Sequence, residues 1–260
     1  MLGLVQAQLS ENKKRLWGYV FVALFLNSLI TTSQLSWDYY MERYSYWNIV
    51  LSITNSTINI SNILTITYML VMIAPSSGGN SWNQLICTRS TARYKLYGSI
   101  VVAQTIKAAM FVLLILTASY CLCLFYPVTF LDEWGLVTAA GQQRAAEPSK
   151  LVYLSAILVF FRFFCLGFIS KVISVVMQRQ VFGVGTYLLL SFGLDGSYGS
   201  ICTTALKKMH PLSNTLISVY QYGKWEPLNL KFAMPYWTIV IGSTLLGGYI
   251  MIRKSNLSDK

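Results

Sequence analysis

Arg162 stands in the run SAILVFFRFFCLGF (155–168), with bulky apolar residues on both sides. A guanidinium at the centre of a bilayer costs roughly 2.5–3.5 kcal/mol on insertion scales. It must therefore face a cavity, a partner helix or a substrate. Two roles fit: a contact for peptide carboxylates or for a gate, and an arginine satisfied by carbonyls within a helix bundle. Asp195 is its potential partner in the sequence; the same residue also fits as a marker of the outer interface. A second polar set lies in 49–74: Ser52, Thr54, Asn55, Ser56, Thr57, Asn59, Ser61 and Asn62. Polar groups facing lipid are costly, so this face is expected to pack on other helices or to wall a pathway, with Asn55, Asn59 and Asn62 as the pathway residues. Phe160, Phe161, Phe163, Phe164 and Phe168 would either line a slippery path for an amphipathic cargo or pack against neighbours and lipid.

The residue types needed for other chemistry are missing. His210 is the only histidine, and the five cysteines (Cys87, Cys121, Cys123, Cys165, Cys202) form neither a disulfide framework nor a metal-binding pattern. No catalytic residue and no metal ligand is expected. A membrane enzyme needs His, Asp or Glu gathered at one depth, and an ion-coupled secondary transporter needs several intramembrane acids and a repeat between halves. The sequence has neither pattern. The phosphate-loop pattern is absent, and Gly183-Val-Gly185 lacks the rest of a nucleotide fingerprint. ATP hydrolysis by this chain is not expected.

The elements that position these residues follow from composition. Of 260 residues, 55% are hydrophobic and 11% charged, against about 25% charge in soluble domains. Several apolar runs reach the roughly 20 residues that cross a hydrocarbon core. Continuous runs without alternation predict helices and not a β-barrel. The reading is all-α: a single polytopic transmembrane domain with helices over 16–34, 49–74, 96–126, 151–177, 181–199 and 236–252. Residues 1–15 form an N-terminal interfacial helix, with no cleavage pattern of a signal peptide after the following run. Residues 195–235 form an outer helical stretch, with short re-entrant or interfacial helices near 212–219. Lys107 lies about 16 Å in from Leu96 and reaches the cytoplasmic face if its helix starts early.

The net charge of +11 sits at the edges of apolar runs, not on one polar face. It reflects the positive-inside bias and attraction to anionic lipid, not nucleic acid. Lys13, Lys14 and Arg15 precede the first span, and Arg253, Lys254 and Lys260 follow the last. Both termini of this multi-pass cell-membrane protein are therefore expected in the cytoplasm.

Between the second and third spans lies a polar, basic island, GNSWNQLICTRSTARYKL (79–96). Asn80 or Ser81 can cap a helix there. Trp82, Leu85 and Ile86 share one helical face, and Arg89, Arg93 and Lys95 lead into the next span. An amphipathic helix over 79–95 could pass force from a soluble partner into the bilayer; a basic loop that only fixes topology also fits.

This layout resembles the permease subunit of type-2 class ABC exporters: an interfacial N-terminal helix, six spans, a cytoplasmic coupling helix between helices 2 and 3, and a helical outer stretch before the last span. The local match is Ser81-Trp82, Leu85-Ile86 and Arg93. The family's acidic residue and Ser-Pro are missing from the island. The short loops look most similar to bacterial exporters of phenol-soluble modulins or bacteriocins. The resemblance implies a pathway between two copies of the permease, in a homodimer, that moves amphipathic peptides out of the cell. Two copies of a separate ATPase subunit would bind ATP and Mg. That subunit would be contacted by Ser81, Trp82, Leu85, Ile86, Arg89 and Arg93. Alternatives are a multidrug or lipid-type ABC export permease and a non-transporting immunity or scaffold protein.

Overall fold

The computed structural model describes residues 3–6, 14–39, 44–45, 50–51, 53–54, 59–73, 93–124, 128–129, 148–198, 209–211, 213–216, 218–221, 224–227 and 230–255. Its helices are α1 (Lys14–Tyr39), a π-helix (Asn59–Leu64) that runs into α2 (Thr65–Ile73), α3 (Arg93–Cys123), α4 (Pro148–Val176), α5 (Gln180–Tyr198) and α6 (Leu230–Lys254). Helix dominates because backbone groups in lipid must be satisfied within their own segment. Arg93–Leu122, Lys150–Val176 and Lys231–Lys254 are long and apolar enough to cross a membrane, and Trp17–Ile30, Asn62–Val71 and Gln180–Gly193 are shorter apolar helices. The chain is a helical membrane protein.

α4 holds the bundle together. It packs on α3, α5 and α6, while α1 and α2 pack on each other and reach α4's neighbours α3 and α5. About 61% of the α4 span is buried, against 17% for α6, which lies at the edge. Pro148 opens α4, where its fixed φ suits the first helical position and its missing N–H is not needed. α4 closes through Gln178, whose φ of 55° is left-handed. Met177 N–H donates to the Ile173 carbonyl (2.9 Å) and Gln178 N–H to that of Val175 (3.1 Å). The chain then reverses directly into α5.

The α4–α5 hairpin is tight because Gly183 carries no side chain. A Cβ there would meet the Ser170 carbonyl oxygen at 2.5 Å and the Ser174 Cβ at 2.8 Å. Small residues let membrane helices approach closely without help from water.

The main core joins α1 through α5: Leu24, Leu64, Tyr68, Phe111, Ile115, Phe163 and Tyr187 are all essentially buried. The phenylalanines of α4 serve packing. Phe163 and Phe168 have no exposure and Phe164 only 6%. Phe160, Phe164 and Phe168 form a stacked ladder at 6.1 and 6.0 Å.

One end of the bundle is basic. Leu96 and Ile100 near the start of α3, Val172 and Val175 near the end of α4 and Ile252 near the end of α6 form one cluster, with Leu4 packed against it. Arg93, Lys95, Arg179, Arg253 and Lys254 are exposed at this end. Arg93 Nη1 donates to the Arg253 carbonyl, which ties the two helix ends together. Positive charge near a helix C-terminus is also favoured by its dipole.

Three sequence expectations change. Residues 212–219 are not a short helix where described: 213–215 are turns, and β3 (Ser218–Gln221) pairs antiparallel with β4 (Lys224–Pro227). (β1, Tyr44–Ser45, pairs parallel with β2, Val128–Thr129.) The segment SVYQYGKWEP carries β-branched and aromatic residues around a Tyr-Gly link, which suits a two-residue hairpin. The outer helical stretch is also narrowed from both sides, because α5 runs to Tyr198 and α6 begins at Leu230. Lys107 does not reach the surface: α3 starts at Arg93, yet the side chain is only 2% exposed.

Candidate functional site

The site is a seam of polar side chains buried around α4. Its centre is the Arg162–Asp195 ion pair, joined through Nη2 and Oδ2, with side chains 3% and 4% exposed. Arg162 lies 14 residues before the end of α4, and Asp195 lies 15 residues after the start of α5. The antiparallel hairpin brings them level, at the middle of α4 and three residues before the end of α5. Asp195 is therefore the structural partner of Arg162. The pairing neutralises both charges where either alone would be expensive.

The pair is incompletely satisfied. Among the described residues no hydrogen bond reaches Arg162 Nε or Asp195 Oδ1. Tyr187, two turns before Asp195 on α5, lies within electrostatic reach of both charges. Tyr236 of α6 lies within electrostatic reach of Arg162.

Tyr187 links the ion pair to α2. Its hydroxyl donates to the Thr65 carbonyl at 3.0 Å. Thr65 sits where the π-helix becomes α2, and its own hydroxyl donates to the Ile60 carbonyl five residues back at 2.8 Å. The Tyr187 ring lies 6.2 Å from that of Tyr68, which also contacts Phe163 at 4.9 Å and Phe111 at 5.0 Å.

Tyr68 and Gln104 then meet over Gly167 of α4. A Cβ at Gly167 would lie 2.8 Å from Tyr68 Oη and 3.0 Å from Gln104 Oε1. Both side chains have no exposure. No hydrogen bond among the described residues reaches Tyr68 Oη, Gln104 Oε1 or Gln104 Nε2. α2, α3, α4 and α5 thus each contribute a polar group to one continuous interior seam.

Of the sequence-derived residues that are described, Arg162 lies in this seam and Asn59, Asn62 and Arg93 do not. Asn62 is exposed on the outside of the bundle, and Asn59 begins the π-helix. Asn55, Ser81, Trp82, Leu85, Ile86 and Arg89 lie outside the described residues. Arg93 is exposed at the basic end, with one guanidinium nitrogen engaged by Arg253. Among the described residues of the second apolar run the buried polar side chains are Thr54, Thr65, Thr67 and Tyr68. Thr54 accepts from Ser155 (2.7 Å) while donating to Val50 (2.9 Å).

The sequence reading missed Tyr68, Gln104 and Tyr187. One signal was available: Gln104 and Lys107 are one turn apart in an apolar span, which marks an inward polar edge. The two tyrosines carry no such mark, because tyrosine is common in apolar helices.

Comparison with family models, with curated proteins and with solved structures yields no match.

Proposed function

We propose that this chain is the transmembrane subunit of an ATP-driven type-2 class ABC exporter that moves amphipathic peptides out of the cell. The observation that carries the proposal is the interior seam. A membrane bundle maintains a buried ion pair and unmet hydrogen-bonding atoms at a cost in stability, and such groups in membranes mark substrate and ion pathways.

In this reading the six spans are α1, the second apolar run (49–74, which includes α2), α3, α4, α5 and α6. The basic end faces the cytoplasm, by the positive-inside rule. Residues 79–95 connect α2 to α3 and dock on a separate ATPase subunit, which binds ATP and Mg. Two copies of this chain enclose the pathway, and Asn62 on the outer face of the bundle is available to it. The Arg162–Asp195 pair latches α4 to α5 in the closed state.

The test is a pull-down of the detergent-solubilised chain from its native membrane, followed by an ATPase assay. A parallel sample carries Trp82→Ala with Leu85→Ala. Co-purification of a nucleotide-binding subunit with the parent chain, and its loss from the variant, is the expected result. Peptide-stimulated turnover then identifies cargo. A chain that comes down alone under gentle detergent overturns the exporter reading in favour of an immunity or scaffold protein.

A further inference from the structure

α6 meets α3 along an edge that ends in positive charge. Tyr97 of α3 donates its hydroxyl to the Leu245 carbonyl of α6 at 3.0 Å, and its ring lies 5.5 Å from that of Tyr249. Behind this contact α4 closes the way. The Phe168 ring lies 6.0 Å from that of Tyr97, and a Cβ at Gly248 would meet Phe168 at 2.5 Å. The outer side of the contact is open. A Cβ at Gly242 would have nothing within 4 Å, and Leu246 and Tyr249 are exposed.

Gly242, Leu246, Tyr249 and Arg253 follow one another at spacings of four, three and four, so they form one stripe of α6. The contact between Tyr97 and Tyr249 fixes this stripe beside α3. From Gly242 to Arg253 it runs about 16 Å along the axis, close to one leaflet's half of a hydrocarbon core about 30 Å thick. A single acyl chain matches that length, on a surface that has glycine where a side chain would otherwise stand.

The charged end suits a phosphate. Arg93 Nη1 donates to the Arg253 carbonyl, so one guanidinium is held at the backbone of the residue that carries the next. Lys254 follows Arg253, and Lys95 places its Nζ 5.9 Å from the exposed Tyr94 ring. Neither 93–97 nor 249–255 contains an acid. Cations gathered in this way repel one another until an anion joins them. A guanidinium fork takes phosphate oxygens two at a time. The apolar spans Arg93–Leu122 and Lys231–Lys254 begin and end at these residues, which puts them at headgroup depth. Tyr94 and Tyr249 suit the same depth.

We propose that the outer groove between α3 and α6 binds one anionic phospholipid, with its phosphate on Arg93 and Arg253 and an acyl chain along Gly242, Leu246 and Tyr249. Charge selects this occupant over a second copy of the chain. Two copies meeting face to face here would bring their own cations together. The lipid fastens α6, the least buried of the three long spans, to the bundle. The site needs neither a peptide nor an ATPase subunit, so it is independent of the exporter reading.

The test uses the full chain in a non-ionic detergent, titrated with dioleoyl phosphatidylglycerol or dioleoyl phosphatidylcholine, which share their acyl chains. Native mass spectrometry counts lipids and chains per particle, and a thermal midpoint checks the fold of each variant. A basic side chain near a surface strengthens anionic-lipid binding about fivefold. The native chain should therefore hold its first phosphatidylglycerol at least about tenfold more tightly than phosphatidylcholine. Arg253→Gln keeps the main-chain carbonyl that receives Arg93 and lies outside 79–95. It should weaken phosphatidylglycerol about fivefold and leave phosphatidylcholine unchanged. Arg179→Gln, at the same basic end but between α4 and α5, should change neither. Gly242→Trp fills the open space beside α3 and should weaken both lipids while the midpoint holds. Equal affinity for the two lipids, or no bound lipid, overturns the proposal. An equal loss in Arg179→Gln and Arg253→Gln also overturns it, as diffuse surface charge. So does a two-chain particle that Gly242→Trp separates and Arg253→Gln does not, which gives the groove to a second copy.

Discussion

Ser170 on α4 donates its hydroxyl to the carbonyl of Gly183 on α5 at 2.7 Å, across a helix contact that leaves no room for a side chain at Gly183. This contact sets the register of the hairpin. From it, α4 and α5 run apart to Arg162 and Asp195, and the ion pair depends on that register as much as on the two charged residues.

Gly183→Val is the direct test of that dependence. Its Cβ would lie 2.5 Å from a backbone oxygen, which a flexible side chain cannot relieve. The helices must shift, at a cost of about 1–3 kcal/mol. Ser170→Ala removes only the hydrogen bond, worth about 0.6 kcal/mol on average within membranes. Thermal unfolding in detergent should rank the native chain above Ser170→Ala and that variant above Gly183→Val. Equal midpoints for native and Gly183→Val would show that the hairpin does not close this tightly.

The helices were legible in the sequence, and the seam was not. Apolar runs near 96–126 and 151–177 gave α3 and α4 to within a few residues, because a membrane helix needs only length and hydropathy to declare itself. Arg162 was conspicuous for the opposite reason, as a charge among phenylalanines. Asp195 was one candidate partner and not a settled one, because the register that pairs them rests on Gly183, Ser170 and a left-handed Gln178, none of which is unusual in composition. The convergence of Tyr68 and Gln104 on Gly167 joins three separate helices, and no local pattern encodes it. The hairpin at 218–227 was misread because moderate hydropathy near a membrane suggests helix as readily as strand.

Gln178 provides a gain-of-stability test. A non-glycine residue in the left-handed region costs about 1–2 kcal/mol, and glycine pays little of it. Gln178→Gly should raise the thermal midpoint and leave the Arg162–Asp195 pair undisturbed. A lowered midpoint would mean that the Gln178 side chain contributes more to the turn than its backbone strain costs.

Tyr187→Phe keeps the ring packed between Tyr68 and the ion pair but removes the donor to the Thr65 carbonyl. The expected loss is about 1 kcal/mol. Its effect should be local: hydrogen exchange should quicken over 60–69, where the π-helix joins α2, while α6 is unaffected. Uniform loss of protection would show that the bond supports the whole bundle and not this junction.

Arg93 ties the start of α3 to the last turn of α6 through the Arg253 carbonyl. Arg93→Ala should therefore speed amide exchange over 251–255, with little change in global stability because the contact is exposed. The same substitution separates two roles of Arg93. Weakened recruitment of an ATPase subunit with unchanged exchange at 251–255 would assign the side chain to the partner and not to α6.

The ion pair gives the most discriminating experiment, because its structural and functional values have different signatures. Arg162→Gln or Asp195→Asn alone leaves one charge buried without its partner, and each should cost about 3–5 kcal/mol. Arg162→Met with Asp195→Leu removes both charges, and a double apolar replacement of a buried pair is commonly neutral or stabilising. The double variant should therefore recover the fold that either single variant loses, as read by its thermal midpoint. On the exporter reading proposed above, peptide-stimulated ATPase turnover in a complex reconstituted with the ATPase subunit is the second readout. A double variant that is stable but does not transport assigns the pair to the pathway. One that is stable and fully active reduces the pair to a packing feature, and the latch between α4 and α5 would then have to reside in the Ser170–Gly183 contact instead.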